Sequence, residues 1–235
     1  MSKDERLIAL TEDVHYFPPV QSALKEPNGL LAVGGDLQPQ RLINAYQHGI
    51  FPWYDDGPIL WWCPDPRAVL FLDDLHISHS MQKVLKHHQF EIKMDTQFEK
   101  VIAQCRDTRK VFPGTWITPQ MKEAYVTLHN MGYAHSLEVY QEGQLVGGIY
   151  GLSLGKLFFG ESMFSLVSNS SKIALVFLVK QLKKWGFEFI DCQMPSEHLA
   201  SLGTKSIPRA LFLEKVTKNN ELETKVGKWT IDIFD

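Results

Sequence analysis

The spacing of apolar positions changes character near residue 69 of this 235-residue chain. Beyond that point regular elements follow one another closely. Ser78 stands before Met81, Val84 and Leu85, the start of a helix. Residues 90–94 read as a strand. Thr96 and Glu99 match a capping box, which opens a helix with Phe98, Val101, Ile102 and Cys105 on its inner face. Thr118-Pro119 starts another helix, and Gly132 stops it. Three strands follow at 136–140, 145–152 and 156–161, with turns at Gly143 and Gly155. A long helix over about 171–185 carries Ile173, Ala174, Leu175, Phe177, Leu178 and Leu182, and Gly186 ends it. A strand to Gln193, short helices at 196–202 and 208–216, and a last strand near 229–234 complete the pattern.

Residues 1–68 lack this regularity. They are rich in Pro, Gly and aromatic residues, and one helix is predicted over 39–48, with Pro39 in its first turn and Gly49 as its stop. The rest reads as ordered loop that needs a larger body to pack on. The expectation is an α+β protein with two domains. Residues 1–68 form a small loop-rich domain and residues 69–235 a catalytic one. From Ser136 onward the element order is that of an N-acetyltransferase-like mixed sheet, which splits around an acyl-donor site lined by the strand after the long helix.

That strand, 187–193, ends in chemistry. Side chains two apart on a strand share a face, so Asp191 and Gln193 are expected to project together with Phe187 and Phe189. The strand over 156–161 likewise ends in an acid, Glu161. Carboxylates on apolar strands are costly unless something pairs with them. Either they form one polar site in a hydrophobic wall, or they satisfy backbone or arginine donors in the core.

Several templates fail. Residues 165–171, ahead of the long helix, contain no glycine, so the usual coenzyme A phosphate grip is missing and a different acyl donor is indicated. Gly160-Glu161-Ser162 lacks the closing glycine of a nucleophile elbow. Cys63, Cys105 and Cys192 are too scattered for a disulfide framework, and neither they nor the histidines show metal-ligand spacing. The aromatics Phe51, Trp53, Tyr54, Trp61 and Trp62 form a wall set among prolines. Trp61 and Trp62 read as a clamp between domains. Trp53 and Trp116, at a turn and a loop-to-helix junction, could equally stack a nucleobase.

Net charge is −3, unevenly spread. Residues 1–80 hold 5 Lys/Arg against 11 Asp/Glu, whereas residues 81–110 hold 7 against 4. Extensive wrapping of nucleic acid is excluded, and a local grip through Lys83 and Lys86 remains open. Without an apolar signal core or a membrane-length apolar run, a cytoplasmic location is expected.

Residues 26–37, 45–53 and 61–67 resemble the N-terminal half of the leucyl/phenylalanyl-tRNA–protein transferases. The segments 114–118, 135–138, 145–148, 159–165, 190–193 and 201–203 continue the resemblance in order. It covers about residues 15–210 and departs after Arg209, where Ala210 stands in place of a second basic residue. The resemblance implies an enzyme that moves leucine or phenylalanine, with methionine left open, from aminoacyl-tRNA to proteins beginning with Arg or Lys, marking them for degradation. It implies no metal or small cofactor. Trp53 and Trp116 match positions tied to the 3′-terminal adenosine. Glu161, Asp191 and Gln193 match positions tied to catalysis or acceptor binding.

The assigned roles are expectations. Gln193 accepts a hydrogen bond from the attacking amine, Asp191 orients Gln193, and Glu161 binds a cationic group. Met163, Leu175, Leu178 and Ile190 are candidate walls of the amino-acid pocket, or ordinary core. Competing readings are an acetyl-coenzyme A acetyltransferase and a tRNA-dependent transferase acting on cell-wall peptide precursors.

Overall fold

The computed structural model describes residues 7–55, 57–87, 90–109 and 117–233. The N-terminal stretch is more ordered than loop. Strands β1 (Ile8–Leu10), β2 (Leu30–Gly34), β3 (Phe51–Pro52) and β4 (Leu60–Trp62) make a four-stranded sheet in the order β1-β2-β4-β3. These strands are two to five residues long, and β1 pairs with β2 in parallel across the intervening chain, so no local alternation announces them. Helix α1 (Pro39–Gln47) sits between β2 and β3 as expected. Gly49 has φ +72°, and a Cβ there would lie 2.8 Å from the Phe212 ring, so the stop is also a packing position.

The second sheet has seven strands, in the order Lys205–Ile207, Arg67–Phe71, Phe189–Gln193, Leu157–Ser165, Gln144–Leu154, Ala134–Gln141 and Glu91–Met94. In chain order its elements are β5 (Arg67–Phe71), α2 (His79–His87), β6 (Glu91–Met94), α3 (Phe98–Arg109) and α4 (Pro119–Asn130). They continue with β7 (Ala134–Gln141), β8 (Gln144–Leu154), β9 (Leu157–Ser165), α5 (Ser170–Lys184) and β10 (Phe189–Gln193). The last are α6 (Glu197–Ser201), β11 (Lys205–Ile207) and α7 (Arg209–Asn219). Strands β7, β8 and β9 form the expected antiparallel meander. The chain then crosses through α5, and β10 pairs with β9 in parallel. This is the mixed sheet predicted for an N-acetyltransferase-like α+β fold.

Two expected details change. Thr96 and Glu99 do not close a capping box. The buried Glu138 carboxylate instead accepts from the Thr96 and Gln97 backbone N–H groups, each at 3.0 Å, because a buried acid satisfies itself on the open amides. No strand forms over residues 229–233. Trp229 is buried instead, its ring stacked 3.6 Å from His135, and its backbone N–H donates to Asp95 at 2.7 Å.

The core lies on both faces of the large sheet. On one face Leu31, Tyr46 and Trp61 pack in one cluster with Tyr125, Phe159, Phe189 and Phe212. On the other, α5 packs Ile173, Leu178 and Leu182 against Phe158, Ile190 and Trp229. The aromatic N-terminal stretch thus shares its core with the large sheet.

Candidate active site

Strands β9 and β10 run paired as far as Phe159 and Asp191. Each then bulges. Glu161 is the extra residue of β9 against β8, between the pairs Gly160–Gly151 and Ser162–Tyr150. Cys192 is the extra residue of β10 against β5, between the pairs Asp191–Val69 and Gln193–Ala68. Bulges bend a strand and re-aim its side chains. Here the two strands part, and a cleft of about 560 Å³ opens between them.

The bulge at Cys192 breaks the alternation on which the Asp191/Gln193 expectation rested. Gln193 has φ +57°, a left-handed conformation rare for a side-chain-bearing residue. It lines the cleft, as Ile190 and Cys192 do, and Asp191 does not. The Gln193 Nε2 is buried and has no hydrogen-bond partner among the described residues.

Asp191 and Arg67 are both 0% exposed. Arg67 Nε donates to Asp191 Oδ1 at 2.8 Å and Arg67 Nη2 to Oδ2 at 2.7 Å, a two-pronged pair. Arg67 Nη1 donates to the Gly49 carbonyl at 3.0 Å. The guanidinium lies 4.7 Å from the Phe51 ring centre and 4.4 Å from that of Phe212. Burial works against its charge, but the Asp191 carboxylate more than offsets this and leaves Arg67 above its ordinary pKa. Asp191 therefore satisfies an arginine in the core. Its Oδ1 also accepts from the Gln193 backbone N–H at 3.0 Å.

Glu161 lines the cleft. It accepts from the Tyr46 hydroxyl at 2.5 Å, and Tyr46 in turn shares a short hydrogen bond with Tyr125. Burial pushes the Glu161 carboxyl up to about 7, although the hydroxyls of Tyr46 and Tyr125 pull it back. Burial and then the neighbouring Glu161 charge hold both tyrosines well above their ordinary range. The Cys192 thiol is pushed up by burial as well, so it is no nucleophile.

Met163, Leu175 and Ile190 form part of the cleft wall. Leu178 is 1% exposed in the core and does not line the cleft. Trp53 lines it too and is 42% exposed. Its carbonyl accepts from Trp62 Nε1 at 2.7 Å, and Trp61 Nε1 donates to the Gly34 carbonyl at 2.9 Å. Trp61 and Trp62 are thus held in the core, and Trp53 is presented to the cleft. Trp116 lies outside the described residues.

At the head of α5, Ser165 Oγ accepts from the Ser171 backbone N–H at 3.3 Å, and Ser170 Oγ donates to the Val146 carbonyl at 2.8 Å. The Ser165 hydroxyl thus takes up one backbone N–H of the helix end that would meet a coenzyme phosphate. Among the described residues no group of three or more His, Cys, Asp and Glu could hold a metal ion. No described helix is long and apolar enough to cross a membrane.

Arg67, Tyr46 and Tyr125 escaped the sequence reading as site residues. Tyr46 carried a partial signal, as an inner-face residue of α1, but its partners lie 79 and 115 positions away.

A mixed sheet of N-acetyltransferase-like order, splayed over a cleft, brings an apolar wall, the Glu161 carboxylate and the Gln193 carboxamide together. Comparison with known proteins identifies the class. The family model described as leucyl/phenylalanyl-tRNA protein transferase matches residues 69–217, and the model of that family's N-terminal domain matches residues 35–65. A leucyl/phenylalanyl-tRNA–protein transferase of Stutzerimonas stutzeri is 57% identical over 87% of this chain and 91% of its own length. One from Nitrosospira multiformis is 55% identical over 92% of this chain and 94% of its own. Among solved structures, an aminoglycoside acetyltransferase from an uncultured soil metagenomic sample aligns at 17% identity over 60% of this chain and 93% of its own, with a TM-score of 0.37. The chain belongs to the leucyl/phenylalanyl-tRNA–protein transferase family, and it is an aminoacyltransferase.

Proposed function

We propose that the cleft transfers leucine or phenylalanine, with methionine as a further donor, from aminoacyl-tRNA to the α-amine of proteins beginning with Arg or Lys. The product's new N-terminal residue marks it for degradation in the cytoplasm. The observation that carries this reading is the meeting, in one cleft, of Glu161 and the Gln193 carboxamide, whose Nε2 has no partner among the described residues, with the Met163, Leu175 and Ile190 wall and Trp53. Trp53 stacks the terminal adenosine of the tRNA. Trp116 remains proposed for the same base. Lys83 and Lys86, exposed on α2, meet the acceptor stem.

The chemistry needs little more than placement. The amine nitrogen attacks the ester carbonyl, the peptide bond forms, and the carbon–oxygen bond to the terminal ribose breaks. An α-amine has a pKa of about 7.7–8.0, close to Glu161 at about 7, so a proton moves between them at little cost. Ionised Glu161 holds the incoming ammonium, takes its proton and returns one to the departing ribose oxygen. Gln193 aligns the amine lone pair. Orienting two such reactants lowers the barrier by up to about 7–11 kcal/mol. Met163, a deformable thioether, lets one wall accept leucine and phenylalanine alike.

The test is incubation with charged leucyl-tRNA and a peptide beginning with arginine, followed by mass measurement. One added leucine residue is expected, and none on a peptide beginning with alanine. Equal addition to both peptides refutes the acceptor preference; addition to neither refutes the reaction.

A further inference from the structure

The site contains a buried ion pair that no step above uses. Arg67 and Asp191 lie behind the cleft, and neither lines it. The pair still reaches the cleft along two routes. Asp191 Oδ1 accepts from the Gln193 backbone N–H at 3.0 Å, at the residue whose φ of +57° turns its side chain off the strand alternation. Arg67 lies against the ring of Phe51, which lines the cleft two residues before Trp53. A left-handed conformation at a glutamine persists only where its surroundings fix it. Here the fixing contact is a carboxylate, itself held by a planar two-pronged donor that a lysine cannot imitate.

We infer that Arg67 is a positioning residue of the transfer reaction: by clamping Asp191 it holds the left-handed turn that aims the Gln193 carboxamide into the cleft. Asp191 works through the Gln193 backbone and not by its charge on the substrate. Arg67 also ties the Phe51–Trp53 wall to the same turn, so donor wall and amine-aligning group share one anchor. This inference rests on the transfer reading above.

Two double variants separate aim from charge. Arg67→Met/Asp191→Asn and Arg67→Met/Asp191→Leu each remove the whole pair, so neither leaves a buried charge alone. Asparagine still offers Oδ1 to the Gln193 N–H, and leucine offers nothing. With melting temperatures alike, kcat should fall about 30-fold in the asparagine double, which keeps the acceptor but loses the clamp, and about 300-fold in the leucine double, with one KM for aminoacyl-tRNA shared by the two. Equal losses would show that the Oδ1 acceptor at residue 191 does nothing for the turn, and equal retention would show that the turn needs no clamp. Either result overturns the inference.

Hydrogen exchange at the Gln193 amide reads the tether without turnover. Exchange should quicken in the asparagine double and quicken further in the leucine double, and no difference between the doubles overturns the tether. If the wild type transfers nothing while the exchange pattern holds, the reaction is wrong and the tether stands. Should the doubles fail to fold, Arg67→Lys keeps the charge without the fork. It should lower kcat about tenfold with KM retained, and full kcat overturns the inference.

Discussion

Replacing Glu161 by glutamine isolates what it costs to keep a carboxylate in the cleft wall. In the folded chain Glu161 takes up its proton near pH 7, raised by burial from an ordinary 4.5. Between those values the folded state binds the proton and the unfolded state does not. The contribution to stability is therefore present in full below about pH 4.5 and is lost as pH rises through about 7. Roughly two and a half pH units, at about 1.36 kcal/mol each, set a ceiling of about 3 kcal/mol. The cleft admits water, which brings the expected figure to about 1–2 kcal/mol. Glutamine keeps an oxygen for the Tyr46 hydroxyl and has nothing to ionise. Thermal melts of both proteins at pH 5 and pH 8 read the difference. The variant should match the wild type at pH 5 and exceed it by roughly 3–6 °C at pH 8, while transfer falls by about 100-fold. A melting difference that is the same at both pH values would refute the titration of Glu161 in this window.

Tyr46→Phe removes a hydroxyl that holds the Glu161 carboxyl down, so the acid limb of kcat/KM should move up by about 1–2 pH units, measured as a pH–rate profile. Trp53→Ala should weaken aminoacyl-tRNA use about tenfold or more and leave the melting temperature nearly unchanged, whereas Trp61→Ala, fully buried, should unfold at markedly lower denaturant. Trp229→Ala removes a buried ring on the opposite face of the sheet and should cost about 3–5 kcal/mol in denaturant titration while sparing the kcat of folded protein. Coenzyme A should produce no thermal shift, since residues 165–171 at the head of α5 hold no glycine to let a pyrophosphate approach the backbone.

The sequence made visible what is local. The meander, α4 with its Thr118 cap and α5 with its Gly186 stop all follow from periodicity and terminal signals. The N-terminal sheet was hidden because its strands are too short to show alternation. Asp191 and Gln193 were found by type and spacing, but their relation was not. The bulge at Cys192 is set by pairing with β5, and the partner of Asp191 stands 124 positions away. The capping box failed for the same reason: Glu138, 42 positions from Thr96, took the open amides first. Leu178 shows the limit of helix periodicity, which separates inside from outside but not core from cleft.

The core shared between Trp61, Tyr46, Phe159 and Phe212 has a consequence for how the protein is made. A ribosome extends a chain at about 5–20 residues per second, so roughly ten to thirty seconds separate the emergence of the aromatic N-terminal stretch from that of Phe212. Through that interval Trp61 and Tyr46 lack the part of their cover that the later Phe159 and Phe212 supply. The cleft, with a wall from the first quarter of the chain and its glutamine from the last, is thus among the final parts to become whole.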